Sequence, residues 1–370
     1  MFTCGGTAGH VNPAVALAKM FQQHDPACRI LFVGADGGME TRLVPKEGFD
    51  IQTVTISGFQ RSFSPAAIKH NLHTLQNMSK SKKQARQILD AFHPDLVVGT
   101  GGYASFPVVK AAAARGIPTA VHESNAVPGL TTQALSKVVD KVMVGFEESR
   151  SHYEHPEKVV VTGTPVRGEF FRYTRKEARA VLGLTDERPL VLSYWGSLGA
   201  EVMNGYMVDY LTFLQRDGVP FRHIHGAGRD YEQLTHALNA NGVDSSGRTG
   251  IEVREYIYDM PTVMAAADLV LCRAGASTLA EIAAIARPAV LVPSPNVTAD
   301  HQTKNAKVLS QAGGAILIPE AECSPEVLYR TVAELLAHPE KREEMTRALT
   351  VSGSRDATSC IYKTLLELLP

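Results

Sequence analysis

The chain has 370 residues, of which 44% are hydrophobic and 20% charged, and its 37 Lys and Arg nearly cancel 38 Asp and Glu to leave a formal net charge of -1. That length suggests two domains, each large enough for its own core, and the composition excludes a disordered chain. The balanced charge excludes a global basic field for nucleic acid, so an anionic partner must be met by a local site.

The opening MFTCGGTAGH has neither the basic nor the apolar region of a secretory leader, which leads us to expect no signal peptide. Thr3 to His10 is a Gly-rich turn directly before the helical VNPAVALAKM. Such a turn reads either as a tight strand-to-helix connection or as a place where free N–H groups meet a phosphate or sugar, with His10 as a base. It matches neither GxGxxG nor the P-loop spacing. ILFVG (30–34) reads as a buried strand. Ser57 to Phe92 then sets Phe63, Ile68, Leu72, Leu75 and Met78 beside Arg61, Lys69, Lys80, Lys82, Lys83 and Arg86. This is either an amphipathic helix covering a sheet or a basic face that docks on anionic lipid.

LVVGT (96–100), TAVHE (119–123) and KVMVG (141–145) are further strands, separated by alanine-rich helices. Gly99 to Ser105 is a second Gly-rich loop, and His122-Glu123-Ser124-Asn125 follows the next strand. Glu123 and Asn125 have the chemistry to hold sugar hydroxyls or take a proton, while His122 reads as a satisfied core histidine. The segment Val161 to Arg167, VTGTPVR, reads as a linker, after which the pattern restarts with strands at 190–196, 221–228, 251–257, 268–275 and 289–295. Continuous apolar strands alternating with helices mean parallel sheets covered on both faces, so the fold class is α/β with two doubly wound, Rossmann-like domains.

In the second half Trp195 to Ala200 repeats the strand–Gly loop–helix design. Small residues open a helix at Ala274 to Leu279, with Glu281 about one and a half turns in, placed either as a ribose ligand or as a solvated helix residue. Asp300 to Asn305 supplies polar side chains after a Pro-rich loop. Cys4, Cys28, Cys272, Cys323 and Cys360 are scattered without a CxxC pair, which excludes a zinc ribbon or disulfide scaffold and fits a reducing cytoplasm. No apolar run approaches a membrane span. HExxH, GxSxG and a diphosphate-chelating DxD are absent, so no metal and no cofactor is expected.

Seven motifs, GGTAGHVNPAVAL (5–17), GTGGYASFP (99–107), HESNAVPGLT (122–131), TGTPVR (162–167), WGSLGA (195–200), ADLVLCRAGASTLAEI (267–282) and HQTKNA (301–306), resemble in order those of the MurG family of glycosyltransferases. The resemblance implies the GT-B architecture, two such domains facing across a cleft. It places an acceptor domain at 1–163, a UDP-GlcNAc domain at 164–345, and a C-terminal helix at 346–370 packing back on the first. It also implies an inverting transfer of GlcNAc from UDP-GlcNAc to the C4 hydroxyl of MurNAc in undecaprenyl-pyrophosphoryl-MurNAc-pentapeptide. Such an enzyme works as a peripheral protein on the cytoplasmic face of the cell membrane, against anionic lipid, and beside the division and elongation machinery.

By position, the resemblance implies donor contacts from Thr7, Ala8, Gly9 and Asn125, with Arg167 and Ser197 near the phosphates and the Ile257 backbone at the uracil. It puts Ala276, Ser277, Thr278, Leu279, Ala280 and Glu281 along the diphosphate and ribose, and Gln302 on the GlcNAc hydroxyls. Gly101, Gly102 and Tyr103 would meet the acceptor, and either His10 or Glu123 would be the base. Ala8 stands where many members have Gly, and Ser197-Leu198 replaces the commoner Ser-Gln. The competing readings are another GT-B transferase acting on a glycolipid or small aglycone, a UDP-GlcNAc 2-epimerase, and a non-catalytic UDP-sugar sensor.

Overall fold

The computed structural model describes residues 1–56, 65–196, 200–297, 300–352 and 356–369. The chain divides into two compact units, Met1–Arg167 with Asp356–Pro370, and Gly168–Arg355. Among the described residues the first unit holds a seven-stranded sheet and the second a six-stranded one.

The first sheet comprises β1 (Phe2–Thr3), β2 (Leu31–Ala35), β3 (Asp50–Val54), β4 (Val97–Gly99), β5 (Thr119–Glu123), β6 (Lys141–Val144) and β7 (Val159–Val161). Its order is β3-β2-β1-β4-β5-β6-β7 and every pairing is parallel. Helices cover both faces because every central strand is apolar on both sides. Phe32, Val15, Val98 and Ile361 pack in one layer, and Val33, Val97, Val108 and Leu135 in the other. The C-terminal helix Ala357–Leu366 closes the first layer on the helix Ala8–His24, with Tyr362 edge-on to Phe21 at 4.8 Å.

The second sheet comprises β8 (Leu190–Tyr194), β9 (Arg222–Gly226), β10 (Ile251–Arg254), β11 (Leu269–Cys272), β12 (Ala289–Leu291) and β13 (Ala315–Leu317), in the order β10-β9-β8-β11-β12-β13. A core cluster there sets Met203, Met207, Tyr210 and Leu211 against Leu269, Leu271, Leu328 and Val332. The helix Pro339–Ser352 belongs to this unit and buries Leu349 against Gly314, so the chain re-enters the first unit at Asp356, later than position 346.

The strands expected at 30–34, 96–100, 119–123 and 141–145, and the five expected after residue 165, are all present. β3, β7 and β13 were not expected from sequence. Each sits at the edge of its sheet; β3 is only partly buried there, so DIQTV shows no apolar run, while β7 (VVV) and β13 (AIL) are apolar but only 3 residues long.

Both sheets reverse winding direction once. β1 and β4 flank the reversal in the first unit, β8 and β11 in the second. In open parallel sheets the crevice beyond the carboxyl ends at such a point is where ligands bind. The Gly-rich segments singled out above leave these four strands.

Candidate active site

The loop after β1 and the loop after β4 are built against each other. Thr100 donates its hydroxyl to the His10 carbonyl at 2.7 Å, and Ser105 donates to both Thr3 O (3.0 Å) and Gly101 O (2.8 Å). Gly101 has φ +110° and Gly102 φ +83°. A Cβ at Gly101 would come 2.6 Å from His10 Cδ2, and one at Gly102 would collide with the Gly5 backbone. Glycine is therefore required at both positions by close approach as well as by backbone angle.

His10 lies in the first turn of the helix Ala8–His24, which Thr7 caps in extended conformation. Its Nδ1–H donates to the Gly5 carbonyl at 2.8 Å, and Thr7 Oγ1 lies 3.4 Å from the same nitrogen. A carbonyl only accepts, so Nδ1 carries the proton of the neutral ring and Nε2 carries the lone pair. The half-buried imidazole thus offers a base at Nε2 beside Gly101, 3.0 Å from where a Cβ there would stand.

Glu123 ends β5 and is buried. One carboxylate oxygen accepts from the backbone N (3.0 Å) and Nδ2 (2.9 Å) of Asn125, and the other from Gly129 N at 2.9 Å. Three donors fix it as the brace of the loop 124–129, which leads into the helix Leu130–Ser136. Strand β4 separates β5 from β1, so the origins of the Glu123 and His10 loops are roughly 10 Å apart on the same sheet edge. His122 is fully enclosed; its Nε2 donates to Gly163 O at 2.9 Å, and burial pushes its pKa down, as befits a neutral core histidine.

Among the other first-unit candidates, Tyr103 is exposed, Gly9 and Arg167 are half-buried, and Arg167 is the last residue before the change of unit. Ala8 is helical, its side chain outside the described residues, and Ser197 also lies outside them. Of the basic segment, Arg61 and Phe63 and the side chains of Ile68, Lys69, Leu72 and Leu75 lie outside them as well. The described end of the helix Pro65–Phe92 exposes Lys80, Lys82, Lys83 and Arg86 and buries Ser81, Ala85 and Leu89.

In the second unit the helix Ala276–Ala284 starts directly above β11, with Gly275 as its extended N-cap. The positive end of its dipole, at Ala276, Ser277 and Thr278, faces the reversal point between β8 and β11. Leu279 is buried in the core, whereas Ala280 and Glu281 are half-buried. Burial, then Cys272, then Glu281 push the Tyr194 phenol up, and burial followed by Glu281 does the same to the Cys272 thiol. Tyr194 and Cys272 pair at the ends of β8 and β11, so the Glu281 charge sits over that edge. Ile257 plugs its side chain against Gly226 at the end of β9, which leaves its backbone as the part able to meet a ligand. Gln302 was expected to hold sugar hydroxyls. Its Oε1 accepts from Ala274 N (3.3 Å) and Ser294 N (2.9 Å), tying the loops after β11 and β12 together and leaving Nε2 to offer.

The model of the glycosyltransferase family 28 N-terminal domain matches residues 1–144, and that of the family 28 C-terminal domain matches residues 191–361. The chain belongs to glycosyltransferase family 28. This family 28 chain is 41% identical over 369 residues, covering 100% of itself and 99% of its relative, to the UDP-N-acetylglucosamine–N-acetylmuramyl-(pentapeptide) pyrophosphoryl-undecaprenol N-acetylglucosamine transferase of Thermoanaerobacter sp. (strain X514). The crystal structure of Acinetobacter baumannii MurG aligns with a TM-score of 0.76 at 29% identity, over 99% of this chain and 98% of that one. A putative UDP-N-acetylglucosamine 2-epimerase from Listeria monocytogenes aligns at 0.68 over 97% and 93%, but at 15% identity it shares the fold alone. The two parallel-sheet domains are those of the GT-B architecture that the sequence motifs implied.

One residue of the first unit escaped the sequence reading. Glu40, in the first turn of the helix Glu40–Lys46, is fully buried and accepts from Ala35 N at 2.7 Å and Gly6 N at 3.1 Å. The signal was there in GADGGME: Gly34 and Gly38 stand where any Cβ would strike its side chain.

Proposed function

We propose that this family 28 enzyme transfers GlcNAc from UDP-GlcNAc to the C4 hydroxyl of MurNAc in undecaprenyl-pyrophosphoryl-MurNAc-pentapeptide, with inversion at the anomeric carbon. The observation that carries the proposal is the end-to-end match with a relative named for that transfer. In the chemical step the acceptor oxygen bonds to C1 of GlcNAc as the C1–phosphate oxygen bond breaks, and UDP leaves with the bonding pair. His10 Nε2 takes the hydroxyl proton, because its lone pair is the one the Gly5 hydrogen bond leaves available. Glu123 holds Asn125 and the following loop in shape for the sugar rather than reacting itself.

In this reading Thr7, Ala8, Gly9 and Asn125 contact the donor sugar, and Gly101, Gly102 and Tyr103 the acceptor. Arg167, Ser197 and the amides from Ala276 to Ala280 stabilise the charge that builds on the diphosphate. Glu281 accepts from the ribose hydroxyls, the Ile257 backbone meets the uracil, and Gln302 Nε2 donates to the GlcNAc hydroxyls. Among the described residues no helix is long and apolar enough to cross a membrane. The exposed row Lys80, Lys82, Lys83 and Arg86 supports a peripheral attachment to anionic lipid at the cytoplasmic face.

The test is incubation with radiolabelled UDP-GlcNAc, with and without a short-chain analogue of the lipid-linked MurNAc-pentapeptide, in EDTA. Acceptor-dependent label in a disaccharide is the expected result. Label converted to free or UDP-linked ManNAc without acceptor would replace the proposal with the epimerase reading.

A further inference from the structure

The imidazole of His10 is joined to a buried carboxylate through a single peptide group. The Gly5 carbonyl that accepts His10 Nδ1–H at 2.8 Å and the Gly6 N–H that donates to Glu40 Oε2 at 3.1 Å belong to the same peptide unit. We propose that Glu40 is a positioning residue for His10, acting through the Gly5–Gly6 peptide to hold the ring tautomer and to stabilise the charge that the ring takes up. The proposal deepens the reading of His10 as the base and rests on it.

The carboxylate is built in from several directions. Glu40 has no exposed surface, and its Oε1 is fixed by Ala35 N at 2.7 Å. A Cβ on Gly5 would come 2.7 Å from Oε1, and Cβ atoms on Gly34 and Gly38 would overlap the side chain, so three glycines form its socket. Both oxygens accept backbone N–H groups, the arrangement that suits the ionised form, and the group sits at the positive end of its own helix.

An anion on the N–H side of a peptide draws electron density toward its carbonyl oxygen, and in a dry interior such linked hydrogen bonds strengthen one another. A stronger acceptor at Gly5 O keeps the proton on Nδ1, keeps the lone pair on Nε2 and favours the imidazolium formed in the reaction, as the outer partner of a ligating or catalytic histidine does elsewhere. Among the described residues, Thr7 and the Gly101 backbone also stand against the ring, and neither titrates. Near it, Cys4 is held neutral by burial and then by Glu40, and Tyr103 is exposed on the loop after β4.

The experiment compares wild type, Glu40→Gln and Glu40→Asp as full chains, following the His10 ring nitrogens by NMR across pH alongside the pH–rate profile of GlcNAc transfer. His10 is assigned by the signals lost in His10→Gln. Glu40→Gln is expected to lower the His10 midpoint by about half a pH unit or more and to lower kcat roughly tenfold, with KM for UDP-GlcNAc within about twofold. Glu40→Asp keeps the charge and is expected to lie between Gln and wild type; if the Gln variant does not fold, its smaller downward shift carries the test. An unchanged His10 midpoint in the folded variant overturns the relay, even where the rate falls. A wild-type protein that transfers no GlcNAc overturns the transferase reading alone, since the titration needs no turnover.

Discussion

Ser193 donates its hydroxyl to His225 Nδ1 at 2.6 Å in the interior of the second unit. The direction is set by neighbours. Asn204 donates its amide to Ala227 O and Asp230, both at 2.8 Å, so its Oδ1 accepts from His225 Nε2 at 3.1 Å and leaves Nδ1 bare. His223 Nε2 in turn donates to Ser193 Oγ at 2.7 Å, and its buried Nδ1 has no hydrogen-bond partner among the described residues. Two histidines are thus enclosed in neutral form, because neither has an acceptor for a second proton.

Burial lowers the His225 pKa from 6.5 to about 3, and burial followed by His225 lowers that of His223 well below 6.5. The unfolded chain binds these protons and the folded one does not, so stability is full above pH 6.5 and falls as the pH drops from there toward 3. The loss is at most about 1.4 kcal/mol per pH unit for each histidine. Denaturant unfolding at pH 7.5 and 5.5 reads it, and His225→Gln should reduce the difference; an unchanged difference in that variant rejects His225 as a source.

His10→Ala should lower kcat for GlcNAc transfer by about 10²- to 10⁴-fold while changing UDP-GlcNAc affinity little. Glu123→Gln should act differently. A glutamine has one acceptor oxygen where three N–H groups converge, so the variant should lose roughly 1–3 kcal/mol of stability and raise KM more than it lowers kcat. Steady-state kinetics with calorimetric donor binding separate the two, and near-normal turnover in His10→Ala would take the base away from His10.

Glu281→Ala should weaken UDP-GlcNAc binding by about 1–3 kcal/mol through loss of charged hydrogen bonds to the ribose. Calorimetry of UDP alone is the cleanest reading, since UDP keeps the ribose and lacks the sugar. Unchanged affinity for UDP would leave Glu281 as a helix residue near Tyr194 and Cys272 and nothing more.

Gly102→Ala should cost more than an ordinary surface change. The backbone there has φ +83°, and the new Cβ would meet the Gly5 carbonyl that accepts from His10. A loss of about 1–3 kcal/mol in unfolding free energy is expected, together with a fall in kcat as the Gly5 carbonyl is displaced. Full turnover in a stably folded Gly102→Ala would show that the two loops need not pack closely for reaction.

What the sequence alone determined was the alternation of apolar strands with helices, the restart after Arg167 and the Gly-rich loops at the strand ends. These are local patterns, written in residues close together along the chain, and they were enough to place His10 and the family resemblance. What only the tertiary structure decided lies in contacts between distant residues. That Glu123 braces its own loop was invisible until Asn125 and Gly129 were seen to donate to its two oxygens. Gln302 reads as a sugar ligand in HQTKNA, yet its carbonyl is held by Ala274, 28 positions away. Glu40 looks like any exposed residue starting a short helix, and it becomes part of the site because β1 and β2 pair and bring Gly6 to it across 34 positions. A buried polar group reveals its role only through its partners, and the fold, not the local pattern, chooses those partners.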